Sequence, residues 1–116
     1  MELEALYKTR LKRILDAVAL RHPDRVPVVL EYSGFAAYAT GTPMAQYLKS
    51  PLNALETMIE AYGMIGSGDA INYGTFWPYG LCTDYMAKVR VPGVDLPVDE
   101  MWQVVESERM LRDDYG

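Results

Sequence analysis

The spacing of apolar and polar residues predicts helices and strands in alternation along this chain. Apolar residues recur at steps of three and four over residues 3–21, with charged residues between them, which indicates an amphipathic helix. Residues 26–31 are a short, nearly continuous apolar run rich in β-branched side chains, which favours a strand buried on both faces. Pro27 lacks an amide donor, so it is expected at the entrance of that strand.

Two helix starts follow the first predicted strand at close range. Residues 34–42 are small and flexible in character, and a hydroxyl residue then precedes both Pro43 and Pro51. This is the order of an N-cap and a first helical position. Such closely spaced starts predict a short helix over 43–49 that breaks into a longer one over 51–65.

The glycine-rich segment 63–68 closes the longer helix instead of opening one. A phosphate-binding loop follows a strand and opens a helix, so the reversed order here favours C-cap chemistry. Residues 69–73 then predict a second short strand. Because a helix of crossover length joins it to 26–31, the two strands are expected to be parallel.

The C-terminal third of the chain carries weaker signals. Residues 85–91 alternate weakly and predict an edge strand or one arm of a hairpin, followed by a Pro-Gly turn. Acidic residues open a final segment with apolar periodicity, which predicts a last helix near 98–112. Alternation of helices and strands predicts an α/β fold in a single domain spanning 1–116.

Composition narrows the classes of protein that fit. The formal charge is −5 and the 11 Lys and Arg are scattered, which argues against a nucleic-acid binder. No apolar run approaches the roughly 20 residues that span a bilayer, so no membrane contact is expected. Cys82 is the only cysteine, so an intrachain disulfide is impossible and a reducing cytoplasm is the expected compartment.

Single reactive side chains give weak catalytic signals. His22 is the only histidine and lies at a predicted helix stop, which favours an exposed structural residue. Cys82 has no basic neighbour to activate it, which favours a buried thiol over a nucleophile. One histidine and one cysteine also make no zinc site of ordinary spacing, so no metal is predicted in this chain.

Polar residues end both predicted strands, where parallel α/β proteins place their sites. The carboxyl ends of parallel strands meet at one edge of a sheet, so these side chains are expected to line one pocket. Glu31 there is either a ligand-facing carboxylate or a loop cap. The aromatic segment 75–80 lines that pocket or covers the core, two interpretations that the sequence leaves open. The substrate-binding candidates are Glu31, Tyr32, Ser33, Asn72 and Tyr73, with Trp77 and Tyr79 as an aromatic wall; catalytic residues are not assigned.

Four segments of the chain carry a family resemblance. They are Arg-Val-Pro-Val-Val-Leu at 25–30, Gly-Asp-Ala-Ile-Asn at 68–72, Val-Pro-Gly-Val-Asp-Leu-Pro at 91–97 and Trp-Gln-Val-Val-Glu at 102–106. Together they resemble the uroporphyrinogen decarboxylase superfamily. The resemblance implies a (β/α)8 TIM barrel, of which this chain is the N-terminal βαβ part with a leading helix. A full barrel takes about 250 residues, so the resemblance also implies a fragment.

Departures from the family pattern bear on the activity that the resemblance implies. Decarboxylases of the family follow the first strand with an arginine-rich Met-Arg-Gln-Ala-Gly-Arg-Tyr motif that holds substrate carboxylates, whereas residues 31–37 contain no arginine. The family's aspartate after the second strand corresponds to Thr75 here. The resemblance therefore favours the corrinoid-linked methyltransferase branch. That branch uses a zinc-activated thiol and a corrinoid protein partner, with no cofactor held by this part of the chain.

Two functions of different classes remain open. The chain is either the N-terminal part of a methyltransferase-like barrel enzyme, inactive as a fragment, or a non-catalytic module that self-associates or pairs with another chain to complete its sheet. Both predict exposed strand edges and apolar surface, and hence a dimer or higher oligomer of the isolated chain. Reading the gene past codon 116, or weighing the protein in a cell lysate, distinguishes them.

Overall fold

The computed structural model describes residues 2–66, 68–73, 87–108 and 110–115, which form a mixed helical and sheet structure compatible with the α/β class. Its two sheets are a parallel pair and an antiparallel pair of short strands. In chain order the elements are α1 (Glu2–Val18), β1 (Val29–Glu31), α2 (Phe35–Thr40), α3 (Met44–Tyr47), α4 (Pro51–Ile65), β2 (Ala70–Asn72), β3 (Lys88–Arg90), β4 (Gln103–Val105) and a 3-10 helix (Arg112–Tyr115).

The parallel strand pair predicted from the sequence is confirmed. β1 and β2 pair in parallel, in a register that sets Glu31 opposite Asn72. The connection runs through α2, α3 and α4, because parallel strands require a crossover that returns the chain to the same end of the sheet. Each strand is three residues long, shorter than the predicted 26–31 and 69–73.

Burial on both faces, expected for the first strand, is wrong for the described part of the chain. Leu30 packs against the helical core, whereas Val29, which alternation directs to the opposite face, is 54% exposed. Val26, just before the strand, is 78% exposed. The described helices therefore cover one face of β1 and leave the other open.

The core lies between α2, α3 and α4. Segment 34–42, expected to be flexible, contains helix α2, whose Ala36 and Ala37 are almost fully buried. Side chains this small let α2 lie close against α4, whose buried Ala54 and Ala61 belong to the same core. Among the residues that the structure describes, the largest fully buried side chains are Met44, Tyr47 and Met58.

The helix ends observed after β1 are close to those predicted. Ser50 caps α4, because its hydroxyl oxygen accepts a hydrogen bond from the Asn53 amide at 3.2 Å, and Pro51 occupies the first helical turn. The N-cap of α3 is Pro43 rather than the threonine before it, so this helix lacks a side-chain cap and runs for only 4 residues. α4 ends at Gly66, whose φ of 72° is a left-handed conformation that glycine adopts at little cost.

The predicted helix near 98–112 is wrong. Residues Gln103–Val105 form β4, which pairs antiparallel with β3. Val104 lies opposite Val89, and this pairing of β-branched residues favours strand structure over the helix that the acidic start indicated. The prediction of a strand within 85–91, as an edge strand or one arm of a hairpin, is confirmed as to the strand: β3 lies there and pairs antiparallel with β4.

The side chain of Met101, which precedes β4, packs into the space that the missing side chain of Gly34 leaves beside the helical core. A Cβ atom at Gly34 would lie 2.1 Å from the Sδ atom of Met101, so a larger residue would displace the Met101 side chain. Met101 and Trp102 both pack on the core cluster. The segment that leads into β4 is therefore held by tertiary packing, which the periodicity of the local sequence does not encode.

A network of ion pairs joins α1 to the entrances of both parallel strands. Asp69, whose side chain is fully buried, accepts hydrogen bonds from the guanidinium groups of Arg13 and Arg25. Its other carboxylate oxygen accepts a hydrogen bond from the Val28 amide at 2.8 Å. Arg13 also donates two hydrogen bonds of 2.7 Å to Asp24. These five residues, named here the Asp69 network, pair the buried carboxylate on both of its oxygens.

We predict that the protein loses stability as the pH falls from about 4 to about 2, because the carboxylates of Asp24 and Asp69 in the Asp69 network then take up protons. Hydrogen bonds from Arg13 lower the pKa of Asp24 from 3.8 to about 2. Burial acts to raise the pKa of Asp69, but hydrogen bonds from Val28, Arg13 and Arg25 outweigh it, so this pKa is also lowered. A carboxylate whose pKa is lower in the folded state stabilises that state above its unfolded pKa, and the stabilisation is lost as the pH falls.

Urea denaturation followed by circular dichroism at a series of pH values checks this prediction. The midpoint is expected to hold steady above about pH 5 and to fall below about pH 4. Asp24→Asn is expected to flatten part of that fall, because it removes one of the titrating carboxylates. A midpoint that does not change down to about pH 2 would contradict the role of the network.

Candidate functional site

Glu31 and Asn72 lie side by side at one edge of the parallel sheet. They are register partners at the last positions of β1 and β2, and both residues are exposed. Neighbouring strands lie about 4.8 Å apart, so the carboxylate and the amide are within reach of one ligand. The expectation that these residues share an edge is confirmed, and their binding of a ligand stays a prediction.

Tyr32 belongs to the hydrophobic core and is only 4% exposed. Its ring stacks on that of Phe35, with the ring centroids 6.0 Å apart. Its hydroxyl is buried and has no hydrogen-bond partner among the residues that the structure describes, and burial, followed by the nearby Tyr62, raises the pKa of Tyr32. The structure thus places this candidate beneath the edge, with an unpaired polar group that costs stability.

Ser33 turns the chain from β1 into α2. It adopts a φ of 47°, a left-handed conformation that is uncommon for residues other than glycine. Its carbonyl oxygen accepts a 2.6 Å hydrogen bond from the hydroxyl of Tyr47, which holds the turn from α3. Burial, and to a lesser degree Tyr73, raises the pKa of Tyr47 to about 12. Backbone strain of this kind is common at functional sites.

Tyr73 joins the end of β2 to the start of α4. Its hydroxyl donates a 2.8 Å hydrogen bond to the carbonyl oxygen of Pro51, and the residue is 38% exposed. The N-terminus of α4 therefore lies beside the same sheet edge as Glu31 and Asn72. Tyr73 adds a phenol of fixed position to this edge.

Trp77 and Tyr79, predicted as an aromatic wall, lie outside the described residues, as do Thr75 and Cys82. The described part of the candidate site is named here the carboxyl edge. It consists of Glu31, Tyr32, Ser33, Asn72 and Tyr73.

The carboxyl edge offers hydrogen bonding and a single negative charge. Glu31 supplies an exposed carboxylate and Asn72 supplies an amide. None of its five residues is cationic, so it does not neutralise a substrate with several negative charges. Among the residues that the structure describes, no three His, Cys, Asp or Glu gather as metal ligands, so these residues do not fit a zinc ion.

Sequence reasoning missed the Asp69 network and an apolar cavity beside it. A buried aspartate at the start of a strand needs hydrogen-bond partners, but those partners lie 41 to 56 residues away, so the sequence around Asp69 does not identify them.

The cavity, of about 390 Å³, lies between α1, α4 and β2. The apolar face of α1 was the signal for it. Its main apolar walls are Leu3, Leu6, Tyr7 and Leu11 on one side and Ile59 and Ile71 on the other.

Comparisons with known proteins assign no family to the chain. A scan of protein-family models, a search of curated proteins and a search of solved structures each returned no match. Over the ranges that the structure describes, no helix is both long and apolar enough to cross a bilayer. A function is therefore inferred from the carboxyl edge and from the segments that carry the family resemblance.

Two tyrosine hydroxyls beneath the carboxyl edge are expected to have opposite effects on stability. Tyr32→Phe removes a buried hydroxyl that has no hydrogen-bond partner over the described ranges of the chain, so it should raise the free energy of unfolding by about 1 kcal/mol. Tyr47→Phe removes the hydrogen bond to Ser33, so it should lower that free energy by about 1 kcal/mol. Urea denaturation of both variants beside the wild type measures the difference. A loss of stability in Tyr32→Phe would mean that its hydroxyl is paired in solution.

Proposed function

We propose that this chain is the N-terminal part of a uroporphyrinogen decarboxylase-like barrel enzyme and is inactive by itself. The branch we propose is the corrinoid-linked methyltransferases rather than the decarboxylases. The observation that carries the proposal is the parallel β1–β2 pair, which sets Glu31 beside Asn72 at the carboxyl edge. In (β/α)8 barrels the site lies at the carboxyl ends of the strands. A leading helix, two parallel strands and a helical crossover are elements with which such a barrel begins.

The open face of β1 supports the proposal. Val29 is 54% exposed in a strand whose composition is typical of burial on both faces. A sheet of two strands is at best marginally stable as an independent unit. Further strands and helices beside β1 and β2 would cover this apolar surface, and in the proposed enzyme the remainder of the barrel supplies them.

The charge of the carboxyl edge favours methyl transfer over the decarboxylation of uroporphyrinogen. A porphyrinogen with several carboxylates needs cations, and the carboxyl edge presents Glu31 without an arginine or lysine. The partner we propose is a corrinoid protein, and the compartment is a reducing cytoplasm, consistent with a single cysteine. No zinc-dependent step is assigned to this chain, because its described residues do not fit the ion.

A second candidate function is a non-catalytic module that completes its sheet with another copy or another chain. The observation that favours it is that β1 and β2 form a sheet of only two strands within the described residues. Open strand edges pair readily with strands of other chains. Such a module has no need of the Glu31 carboxylate, so the two functions differ in their dependence on this residue.

Replacement of Glu31 by glutamine tests the enzymatic proposal. Methyl transfer from methylcobalamin to a thiol is followed by the loss of methylcobalamin absorbance, in the intact enzyme of which this chain is the proposed N-terminal part. Glu31→Gln keeps the shape of the side chain and removes its charge. We expect the rate to fall about tenfold or more, as for the loss of one charged hydrogen bond, with an unchanged melting temperature.

Glu56→Gln is the matched control, because Glu56 is exposed on α4 and lies outside the carboxyl edge. This variant should keep the wild-type rate. An unchanged rate in Glu31→Gln would assign Glu31 to capping of the following turn. The absence of methyl transfer in the wild type, together with association through the strand edges, would favour the module.

A further inference from the structure

A second interaction surface lies on α1, away from the carboxyl edge. We propose that α1 pairs in antiparallel orientation with α1 of a second copy of this chain, to form a symmetric dimer. This inference goes beyond the proposed function. It is independent of that function because the Asp69 network attaches α1 near the strand entrances, whereas the candidate site lies at the strand ends.

The apolar stripe of α1 is largely uncovered. Leu3, Leu6, Tyr7 and Leu11 are between 37 and 82% exposed, although their spacing puts them on one face of the helix. In a surface helix of a globular domain this face packs against the core. A contiguous apolar surface that stays exposed marks a site of protein interaction.

The cavity between α1, α4 and β2 extends this apolar stripe. Its volume of about 390 Å³ corresponds to roughly a dozen water molecules at about 30 Å³ each, against walls that are almost entirely apolar. Water gains few hydrogen bonds in such a place, so apolar side chains of a partner displace it favourably. Leu3, Tyr7 and Leu11 belong to the wall of the cavity and to the face that the partner would contact.

The order of charges beside the stripe selects a second copy as the occupant. Glu4 precedes Lys8 by about one turn, and their side chains are 68% and 70% exposed. In an antiparallel pair with its twofold axis level with Leu6, Glu4 of one copy lies opposite Lys8 of the second copy. Twofold symmetry repeats the contact, so the interface carries two such pairs. The helix is therefore complementary to its own reversed copy.

The same position of the axis also interleaves the apolar side chains. Leu3, Tyr7 and Leu11 recur every four residues, which is about 6 Å along the helix axis. With the axis level with Leu6, the corresponding side chains of the second copy are offset by about 3 Å and lie between them. Side chains of one stripe then fill the gaps of the other, as in packed helix pairs.

Charge reversal followed by mixing tests this pairing. Glu4→Lys sets lysines opposite each other in the dimer, and Lys8→Glu sets glutamates opposite each other. Each variant alone is therefore expected to dimerise about tenfold more weakly than the wild type, or weaker still. Mixed in equal amounts, the two variants should form a heterodimer of nearly wild-type affinity, because every intermolecular contact then joins Lys to Glu.

If the dimer affinity recovers when the two variants are mixed, the recovery comes from a contact between the two chains. Each variant also loses the intrahelical pair between Glu4 and Lys8, and mixing two chains cannot restore a contact within one chain. A general weakening of α1 would therefore persist in the mixture. Glu56→Lys, an exposed charge reversal on α4, is the matched control and should leave the dimer unchanged.

Sedimentation equilibrium of the purified protein measures these affinities. The wild type is expected at twice the chain mass of 13.1 kDa. A monomer at micromolar concentration would overturn the proposal. A dimer that neither charge reversal weakens would also overturn it, since that dimer uses another surface, such as the strand edges.

Discussion

The buried carboxylate of Asp69 is the contact on which the rest of the structure depends. It precedes β2, yet its partners come from α1 and from the segment before β1, so one side chain positions three separate elements. A buried carboxylate without partners would destabilise the fold by several kcal/mol, and two guanidinium groups and an amide prevent this. Because the Val28 amide is one of those partners, β1 and β2 are aligned at their entrances, and the register then sets Glu31 beside Asn72.

Anchoring at one end of the strands leaves the other end available for a site. The Asp69 network occupies the strand entrances, and the carboxyl edge occupies the strand ends, so structural and candidate functional residues are separated along the same two strands. Arg13 also attaches α1 by charge rather than by apolar packing, which leaves the stripe of α1 exposed. The proposed dimer uses that stripe, whereas the candidate site lies at the ends of β1 and β2.

Local sequence signals predicted α4 and the parallel strand pair, but they missed α2 and the open face of β1 and failed after β3. The Ser50 cap, the end of α4 at Gly66 and the parallel strand pair all follow from residue types within a few positions of each feature. The failed helix near 98–112 depends on contacts over long distances in the sequence. Met101 packs against Gly34, and β4 pairs with β3. Neither contact can be recognised from the hydrophobic periodicity of residues 98–112.

The sequence was sufficient to predict that Glu31 and Asn72 lie together, but it was not sufficient to predict the burial of Tyr32. Parallel strands bring Glu31 and Asn72 together whatever the side chains, so the pairing pattern was sufficient. The burial of Tyr32 was not predictable, because it depends on the left-handed turn at Ser33 and on the helices that cover one face of β1. Asp69 shows the same limit: its residue type signalled a need for partners, and only the fold identifies them.

Disulfide trapping measures the parallel register at the carboxyl edge most directly. With Cys82 replaced by serine, cysteines in place of Glu31 and Asn72 lie within reach of a disulfide, because register partners in a sheet are about 5 Å apart. We predict rapid bond formation in Glu31→Cys/Asn72→Cys, slow formation in the off-register pair Val29→Cys/Asn72→Cys, and loss of this difference when Asp69→Asn is added. Equal rates for the two pairs with Asp69 in place would contradict the proposed arrangement of the sheet and of the site that it carries.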